Sequence, residues 1–137
     1  MQWLKGLITV CLLAQAPAAS AQDAACRAPL KSMLRVEMFF GRNIGGRVGV
    51  TGAKWARFVA HELAPRFPDG LTVVDGGGWW RDPRGRTVAN EPSKVVIIVT
   101  ADNPGIRERI DAASAAYKAK FRQQSVGIVT DTVCAAF

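Results

Sequence analysis

The residues of this 137-residue chain that could do chemistry are a few carboxylates and arginines. The sequence contains no GxSxG elbow, phosphate-binding loop or HExxH motif, and no set of Cys and His residues at metal-ligand spacing. The single histidine, His61, lies beside the apolar stripe of a predicted helix, which favours a surface position over a catalytic one. We therefore expect no cofactor and no metal, and the candidates for function are charged and aromatic side chains.

Glu62 is the most informative carboxylate. A helix advances 100° per residue, which places Glu62 between Phe58 and Val59 in the middle of an apolar stripe. A buried carboxylate needs a partner, and Arg66 follows one turn later, so the spacing predicts an ion pair that holds the helix end. The functional alternative is that Glu62 is a catalytic acid or base at the edge of a pocket and that Arg66 contributes to binding a ligand there.

A second group of candidates comes from the first predicted strand and from a long hairpin. Arg35, Glu37 and Phe39 alternate with apolar residues and share one strand face, near which Arg81 and Glu91 of the hairpin are expected. These residues could line a ligand site with apolar walls and a few charges, which is typical of small-molecule sites. The structural alternative is ion pairing between strands.

Two tryptophans precede Arg81. An exposed aromatic side chain beside an arginine can stack on sugars, bases or a partner chain, so Trp80 is a ligand-binding candidate. Trp79 and Trp80 point to opposite faces of a strand, and only one of them can serve a given surface. The alternative is that one packs in the core and the other covers the sheet edge.

Six elements must position these side chains. The second strand should contain a bulge or a bend at glycines 76–78, and residues 41–49 should form a flexible glycine-rich loop. The DPRG sequence at 82–85 predicts a type I turn. The elements are a strand at 33–40, a helix capped by Thr51 that runs to about 63, a strand at 71–74 continued to 80, a strand at 94–99, a helix opened by Asn103 and Pro104, and a strand at 125–133.

The order strand, helix, strand, strand, helix, strand predicts an α+β fold. We expect a ferredoxin-like βαββαβ sandwich, in which two helices cover one face of a four-stranded antiparallel sheet. The other face of such a sheet is usually covered by a ligand or by a twin subunit, as in a dimeric α+β barrel. A homodimer is therefore one expected state.

The first residues resemble an export signal. Lys5 precedes an apolar stretch at 7–14 and the small residues Ala19 and Ala21, so residues 1–21 are predicted to be a signal peptide cleaved after Ala21. The apolar stretch is too short for a membrane span of about 20 residues. We expect residues 22–137 to form a single periplasmic or secreted domain with no membrane span.

Two cysteines remain after cleavage of the signal. Cys26 and Cys134 are predicted to form a disulfide, because an exported chain meets an oxidising compartment. The alternatives are a lipid anchor at Cys26 and a redox or metal pair. The full sequence carries a net charge of +7, which favours anionic partners, but the charges are scattered and nucleic acid is not an expected partner in the periplasm.

Several segments resemble a bacterial family known as domain of unknown function 3574. The strongest is RFPDGLTV at 66–73, followed by WRD at 80–82 and EPSKVV at 91–96, and FFGR at 39–42 together with Trp55 and Phe58 fits the same pattern. The glycine run at 76–78 departs from it. The resemblance implies small exported or lipid-anchored proteins, with no established reaction or catalytic residues.

Three functions remain open on the sequence alone. The leading hypothesis is an exported binding or accessory domain for an unknown small molecule or a protein partner. The alternatives are a small dimeric enzyme in which Glu37, Glu62 or Glu91 works with an arginine, and a structural envelope protein.

Overall fold

The computed structural model describes residues 26–81 and 88–137. The predicted signal peptide at 1–21 and the predicted turn at 82–85 lie outside the described residues. The elements, in chain order, are β1 Lys31–Gly41, β2 Asn43–Ile44, β3 Arg47–Val48, α1 Gly52–Phe58, a π-helical segment Val59–Leu63, β4 Thr72–Arg81, β5 Val88–Thr100, α2 Pro104–Phe121 and β6 Gly127–Ala135.

Four strands form an antiparallel sheet in the order β4, β5, β1, β6. Two helices pack against it, so the predicted α+β class is confirmed, and β1 lies beside β6 as expected for the first and last strands. The bounds of both strands differ slightly from the prediction. β1 extends beyond the predicted 33–40 at both ends, and β6 starts two residues later than the predicted 125. No helix within the described ranges is long and apolar enough to span a membrane.

Alternate side chains of β1 form the centre of the core. Leu34, Val36, Met38 and Phe40 point towards the helices and are at most 4% exposed, and Val96 and Ile98 of β5 lie beside them. Burying a side chain of this size stabilises the fold by about 1.5 to 3 kcal/mol. The alternating apolar side chains of β1 therefore provide the surface on which the helices pack.

The first helix begins as predicted and then changes its winding. The Thr51 hydroxyl accepts a hydrogen bond from the Lys54 backbone N–H at 3.3 Å. From Val59 onwards the helix is a π-helix, in which the Ala64 N–H bonds to the Val59 carbonyl. A π-helix turns less per residue than an α-helix, so Leu63 is fully buried while Glu62, predicted at the centre of the apolar stripe, is displaced from it.

The second helix confirms its predicted cap and apolar face. Asn103 Oδ1 accepts a hydrogen bond from the Ile106 N–H at 3.1 Å, and Pro104 occupies the first turn. The helix ends at Arg122, whose backbone is left-handed with φ 53°. Its buried apolar residues are those predicted: Ile106, Ile110, Ala113, Tyr117 and Phe121.

Tyr117 joins this helix to β1. Its ring packs against Phe40, Phe58 and Phe121, with centroid distances of 4.7, 5.0 and 4.8 Å. Its hydroxyl donates a hydrogen bond of 2.7 Å to the Gly41 carbonyl, at the end of β1. The tyrosine thus fills the aromatic centre of the core and satisfies its polar end on the sheet.

The long β4–β5 hairpin corrects the prediction of a bulge. The register between the strands is unbroken from Thr72 opposite Ile97 to Arg81 opposite Val88. The glycines instead make room for neighbouring side chains, because a Cβ at Gly76 would lie 3.0 Å from Ser93 Oγ and one at Gly78 would collide with the Trp80 indole.

The predicted flexible loop at 41–49 contains a small hairpin. β2 and β3 pair with each other, and Gly45 and Gly46 take positive φ at the turn between them. The Gln123 side-chain amide donates a hydrogen bond of 2.7 Å to the Asn43 carbonyl and ties this hairpin to the end of α2. The segment is therefore an ordered part of the fold.

The predicted disulfide joins Cys26 to Cys134 with a Cα–Cα distance of 5.5 Å. The bridge lies where the approach to β1 meets the end of β6, because Ser32 is already paired with Cys134 across the sheet. It closes a loop spanning 108 positions of the sequence.

Removing this bridge should lower stability by up to about 4 to 5 kcal/mol, because the unfolded chain regains the entropy of a long loop. We expect a large fall in the urea midpoint when both Cys26 and Cys134 are replaced by serine. Adding reductant should reproduce the loss in the wild type and have no effect on the double variant. Equal midpoints for wild type and variant would contradict this account.

Tyr117 should make the protein sensitive to alkali. Burial raises the pKa of the Tyr117 hydroxyl above its ordinary value of 10.0, the Glu91 carboxylate raises it further, and Arg42 opposes the shift. Since the folded state holds the proton more tightly, this contribution is complete below pH 10.0 and is lost as the pH rises above that value, by about 1.4 kcal/mol per pH unit.

Because Tyr117 is the only tyrosine of the chain, tyrosinate absorbance reports on it alone. We expect tyrosinate to form only as the protein unfolds. The variant Tyr117→Phe should be about 1 to 2 kcal/mol less stable at neutral pH, because the Gly41 carbonyl loses its partner, and should show a shallower alkaline decline. Ionisation of a still-folded protein near pH 10.0 would refute the prediction.

Candidate functional site

The sheet has an open face on the side opposite the helices, which no element of the described residues covers. Residues that face this side recur along all four strands, as the register requires. They include Arg35, Glu37 and Phe39 of β1, Val95, Ile97 and Val99 of β5, Val74 and Trp80 of β4, and Val129 and Asp131 of β6.

The centre of the open face is apolar. Phe39, Val95, Ile97 and Val99 lie on the two inner strands and are half-buried by their neighbours. Val129 on the edge strand β6 is 53% exposed. A contiguous apolar surface of this kind is typical of a site for a ligand or a partner.

Arg35 and Glu37 are the charged pair of this face. Arg35 Nε lies 3.0 Å from Glu37 Oε1, and a guanidinium nitrogen makes a second, closer contact with the same oxygen. Asp131 is opposite Arg35 on β6. A carboxylate and an arginine therefore converge on the open face, although the Glu37 side chain is only 19% exposed.

A cavity of about 500 Å³ lies at one end of the open face. Its polar groups include Asp69 and Thr100, whose hydroxyl donates to Asp69 Oδ2 at 3.3 Å. Its walls are mainly apolar. It is lined by Met33, Asp69, Gly70, Leu71, Thr72, Ile97, Val99, Thr100, Ala101 and Phe137.

The predicted site residues do not line this cavity. Met33 and Val99 share the strand face of Arg35, so alternation alone could have placed them beside the site. Asp69 precedes β4, and no sequence pattern indicates that its carboxylate returns to Thr100 at the end of β5. The sequence analysis therefore missed the part of the cavity that is formed by the connection leading into β4.

Glu91 is held by the backbone. Its Oε1 accepts a hydrogen bond of 2.6 Å from the Asn43 N–H. Its carboxylate lies over Gly41, where a Cβ would come within 2.7 Å of the same oxygen. This candidate acid therefore fixes the start of β2 against the hairpin, and Gly41 is the residue that allows it to approach.

The end of the β4–β5 hairpin extends past β1, because pairing between β1 and β5 stops at Gly41 and Ser93. Trp79 and Trp80 lie on this extension and are 71% and 45% exposed. The prediction that one of them packs in the core is therefore wrong. Strand alternation places Trp80 on the open face and Arg81 on the opposite face, away from Arg35 and Glu37.

Glu62 and Arg66 form the predicted ion pair. Arg66 Nη1 lies 2.7 Å from Glu62 Oε2 and 2.6 Å from the Glu62 carbonyl, within the helix layer. The predicted burial of Glu62 is wrong, since both side chains are more than a quarter exposed. The pair stabilises the end of the π-helix and does not contribute to the open face.

Lys94 and Asp75 form an unpredicted pair on the helix side of the hairpin. The hydrogen bond from Lys94 lowers the pKa of the Asp75 carboxyl below its ordinary value. The lowered pKa favours the charged form of Asp75, so the two residues form an ion pair between neighbouring strands.

Metal chemistry has no ready site among residues 26–81 and 88–137, where no three His, Cys, Asp or Glu side chains are grouped to hold an ion. The charged pair Arg35 and Glu37 could bind a polar group or move a proton. The cavity could hold a mainly apolar molecule, and its Asp69 carboxylate could accept a hydrogen bond.

Solved structures that share this fold include two of a phage SAM lyase. One is a phage SAM lyase in complex with S-methyl-5'-thioadenosine, 16% identical, with a TM-score of 0.61 over 75% of this chain and 90% of that chain. The other is a phage SAM lyase in the apo state, also 16% identical, with a TM-score of 0.56 over 77% of this chain and 92% of that chain. At this identity the likeness concerns the fold alone.

A search of curated proteins finds no significant match. The family described as protein of unknown function (DUF3574) matches residues 35–137, which covers most of the chain and includes the segments that suggested it. This protein therefore belongs to the DUF3574 family.

Proposed function

We propose that this protein is an exported binding domain whose open face packs against a second copy and whose cavity holds a small, mainly apolar ligand. The observation that carries the proposal is the apolar centre of the open face, formed by Phe39, Val95, Ile97 and Val99 on the two inner strands. Exposing such a surface to water is unfavourable, and packing it against the same face of a second copy would bury it.

The charges of the open face are compatible with burial in a dimer. Arg35 is already paired with Glu37, so covering the face would not leave either of them without an opposite charge. Asp131 lies on the edge strand, near the expected rim of the interface. Two sheets packed face to face lie about 10 Å apart, which leaves room for the half-buried side chains to interdigitate.

The cavity supports the choice of a small ligand. Its volume of about 500 Å³ falls within the usual range for small-molecule sites. Met33, Leu71 and Val99 offer apolar contacts, and Asp69 offers one acceptor that would orient a hydrogen-bond donor. Export is supported by the predicted signal at 1–21 and by the disulfide, which suits an oxidising compartment.

Two neighbouring residues of β6 test the dimer. Val129 is 53% exposed on the open face, whereas Ile128 is 40% exposed on the opposite side. The variant Val129→Lys should weaken self-association at least about tenfold, because the two-fold axis places a lysine from each subunit in an apolar interface. Ile128→Lys, which makes the same chemical change one residue away, should leave self-association unchanged.

Sedimentation equilibrium across a dilution series measures both variants, and thermal unfolding of the dilute proteins checks that the monomer fold is intact. A wild type that remains monomeric at every concentration would refute the dimer. So would equal effects of the two lysines.

A second candidate is a small enzyme that cleaves a nucleoside sulfonium such as SAM and releases a thioether. One of the structures with this fold is a SAM lyase holding S-methyl-5'-thioadenosine. The contact between the Arg35 guanidinium and the Glu37 carboxylate favours this reading, since such a pair on an open face can move a proton.

Incubation of the protein with SAM, followed by chromatography for S-methyl-5'-thioadenosine, tests this candidate. Glu37→Gln should reduce product formation by about a hundredfold or more, because general acid–base catalysis contributes at least that much. Glu62→Gln, the matched change in the ion pair of the helix layer, should retain activity. Absence of product with the wild type, or equal loss in both variants, would exclude it.

A further inference from the structure

On the helix side of the sheet lies a second pocket, of about 350 Å³, which we call the basic pocket. It is formed by the β2–β3 hairpin, α1 and the end of α2, and its lining contains four cations and no carboxylate. The lining residues are Ile44, Lys54, Arg57, Lys120, Phe121 and Arg122.

We propose that the basic pocket binds a phosphate ester with an apolar substituent. This inference is independent of the proposed role of the open face. The four cations come from two helices that are distant in sequence, Lys54 and Arg57 from α1 and Lys120 and Arg122 from the end of α2. Convergence of like charges costs free energy unless an anion joins them.

The local structure does not neutralise these charges. The ion pairs of the described residues are formed by other side chains, namely those of Arg35, Arg66, Lys94 and Arg107. Lys54 Nζ donates to the Gly49 carbonyl at 2.9 Å, which positions the ammonium group and leaves its other hydrogens available. The negative end of the α2 dipole favours Lys120 and Arg122 but does not account for the cations of α1.

The pocket is held in shape before any ligand binds. The Gln123 amide bonds to the Asn43 carbonyl at 2.7 Å and fixes the β2–β3 hairpin against the end of α2. Arg122 takes the left-handed conformation that closes the helix, a position at which glycine is the usual residue. Arg122 therefore lines the pocket from a defined backbone position.

The class of ligand follows from the two kinds of lining. A phosphate ester offers several oxygens to the arginines and lysines, and guanidinium groups match phosphate geometry with paired hydrogen bonds. Ile44 and Phe121 offer an apolar wall to the substituent, so an ester should bind better than inorganic phosphate. A soluble organophosphate and the headgroup of an anionic lipid share this chemistry.

Calorimetric titration with phenyl phosphate at low ionic strength tests the pocket. We expect binding that weakens with added salt, and inorganic phosphate should bind several-fold more weakly. Lys120→Ala should weaken phenyl phosphate binding by about five- to tenfold, because it removes one charge-assisted hydrogen bond. Lys118→Ala removes the same charge from the same helical turn but outside the pocket, and should change binding by less than about twofold.

Co-sedimentation with vesicles distinguishes the two sources of the ester. If lipid headgroups are the ligand, vesicles containing phosphatidylglycerol should pellet the wild type, phenyl phosphate should release it, and phosphatidylcholine vesicles should leave it in solution. If the ligand is a soluble organophosphate, phenyl phosphate should bind while the protein stays in solution with both vesicles. Absence of phenyl phosphate binding, or equal effects of the Lys118 and Lys120 variants, would overturn the proposal.

Discussion

Leu34, Val36, Met38 and Phe40 of β1 all lie against the helices, and the rest of the structure depends on this alternation. Since β1 lies between β5 and β6, its register sets which residues of both neighbours face the core. A slip of one residue would place Arg35 and Glu37 under the helices, where two charges would be costly to bury. The alternation of side chains along β1 therefore determines both which residues form the core and which form the open face.

The two candidate sites occupy opposite sides of the sheet. The open face depends on apolar side chains of β1 and β5, and its charged pair, Arg35 with Glu37, is internally neutralised. The basic pocket depends on charge gathered from two helices, with Ile44 and Phe121 as its apolar wall. Tyr117 lies between these two sites. Its ring packs in the aromatic core and its hydroxyl donates to the Gly41 carbonyl, so it connects the helix layer to the sheet.

Much of the fold could be predicted from the sequence, because strand alternation and the helix caps at Thr51 and Asn103 are local signals. The disulfide could be predicted because Cys26 and Cys134 are the two cysteines that follow the predicted signal peptide. The π-helix was not predicted, and it turns Glu62 away from the apolar stripe on which that residue was expected. The glycine run suggested a bulge, but Gly76 makes room for Ser93 across the sheet and Gly78 makes room for Trp80 on its own strand, contacts that the sequence pattern does not indicate. The cavity beside Asp69 and the basic pocket join residues distant in sequence, so neither follows from local spacing.

The central claim is that a second copy covers the open face and leaves the cavity able to hold a ligand. A crystal structure of the protein tests this directly. We predict a two-fold related copy packed on Phe39, Ile97 and Val129, with bound density beside Asp69. Solvent over the whole open face, with an empty cavity, would contradict the account.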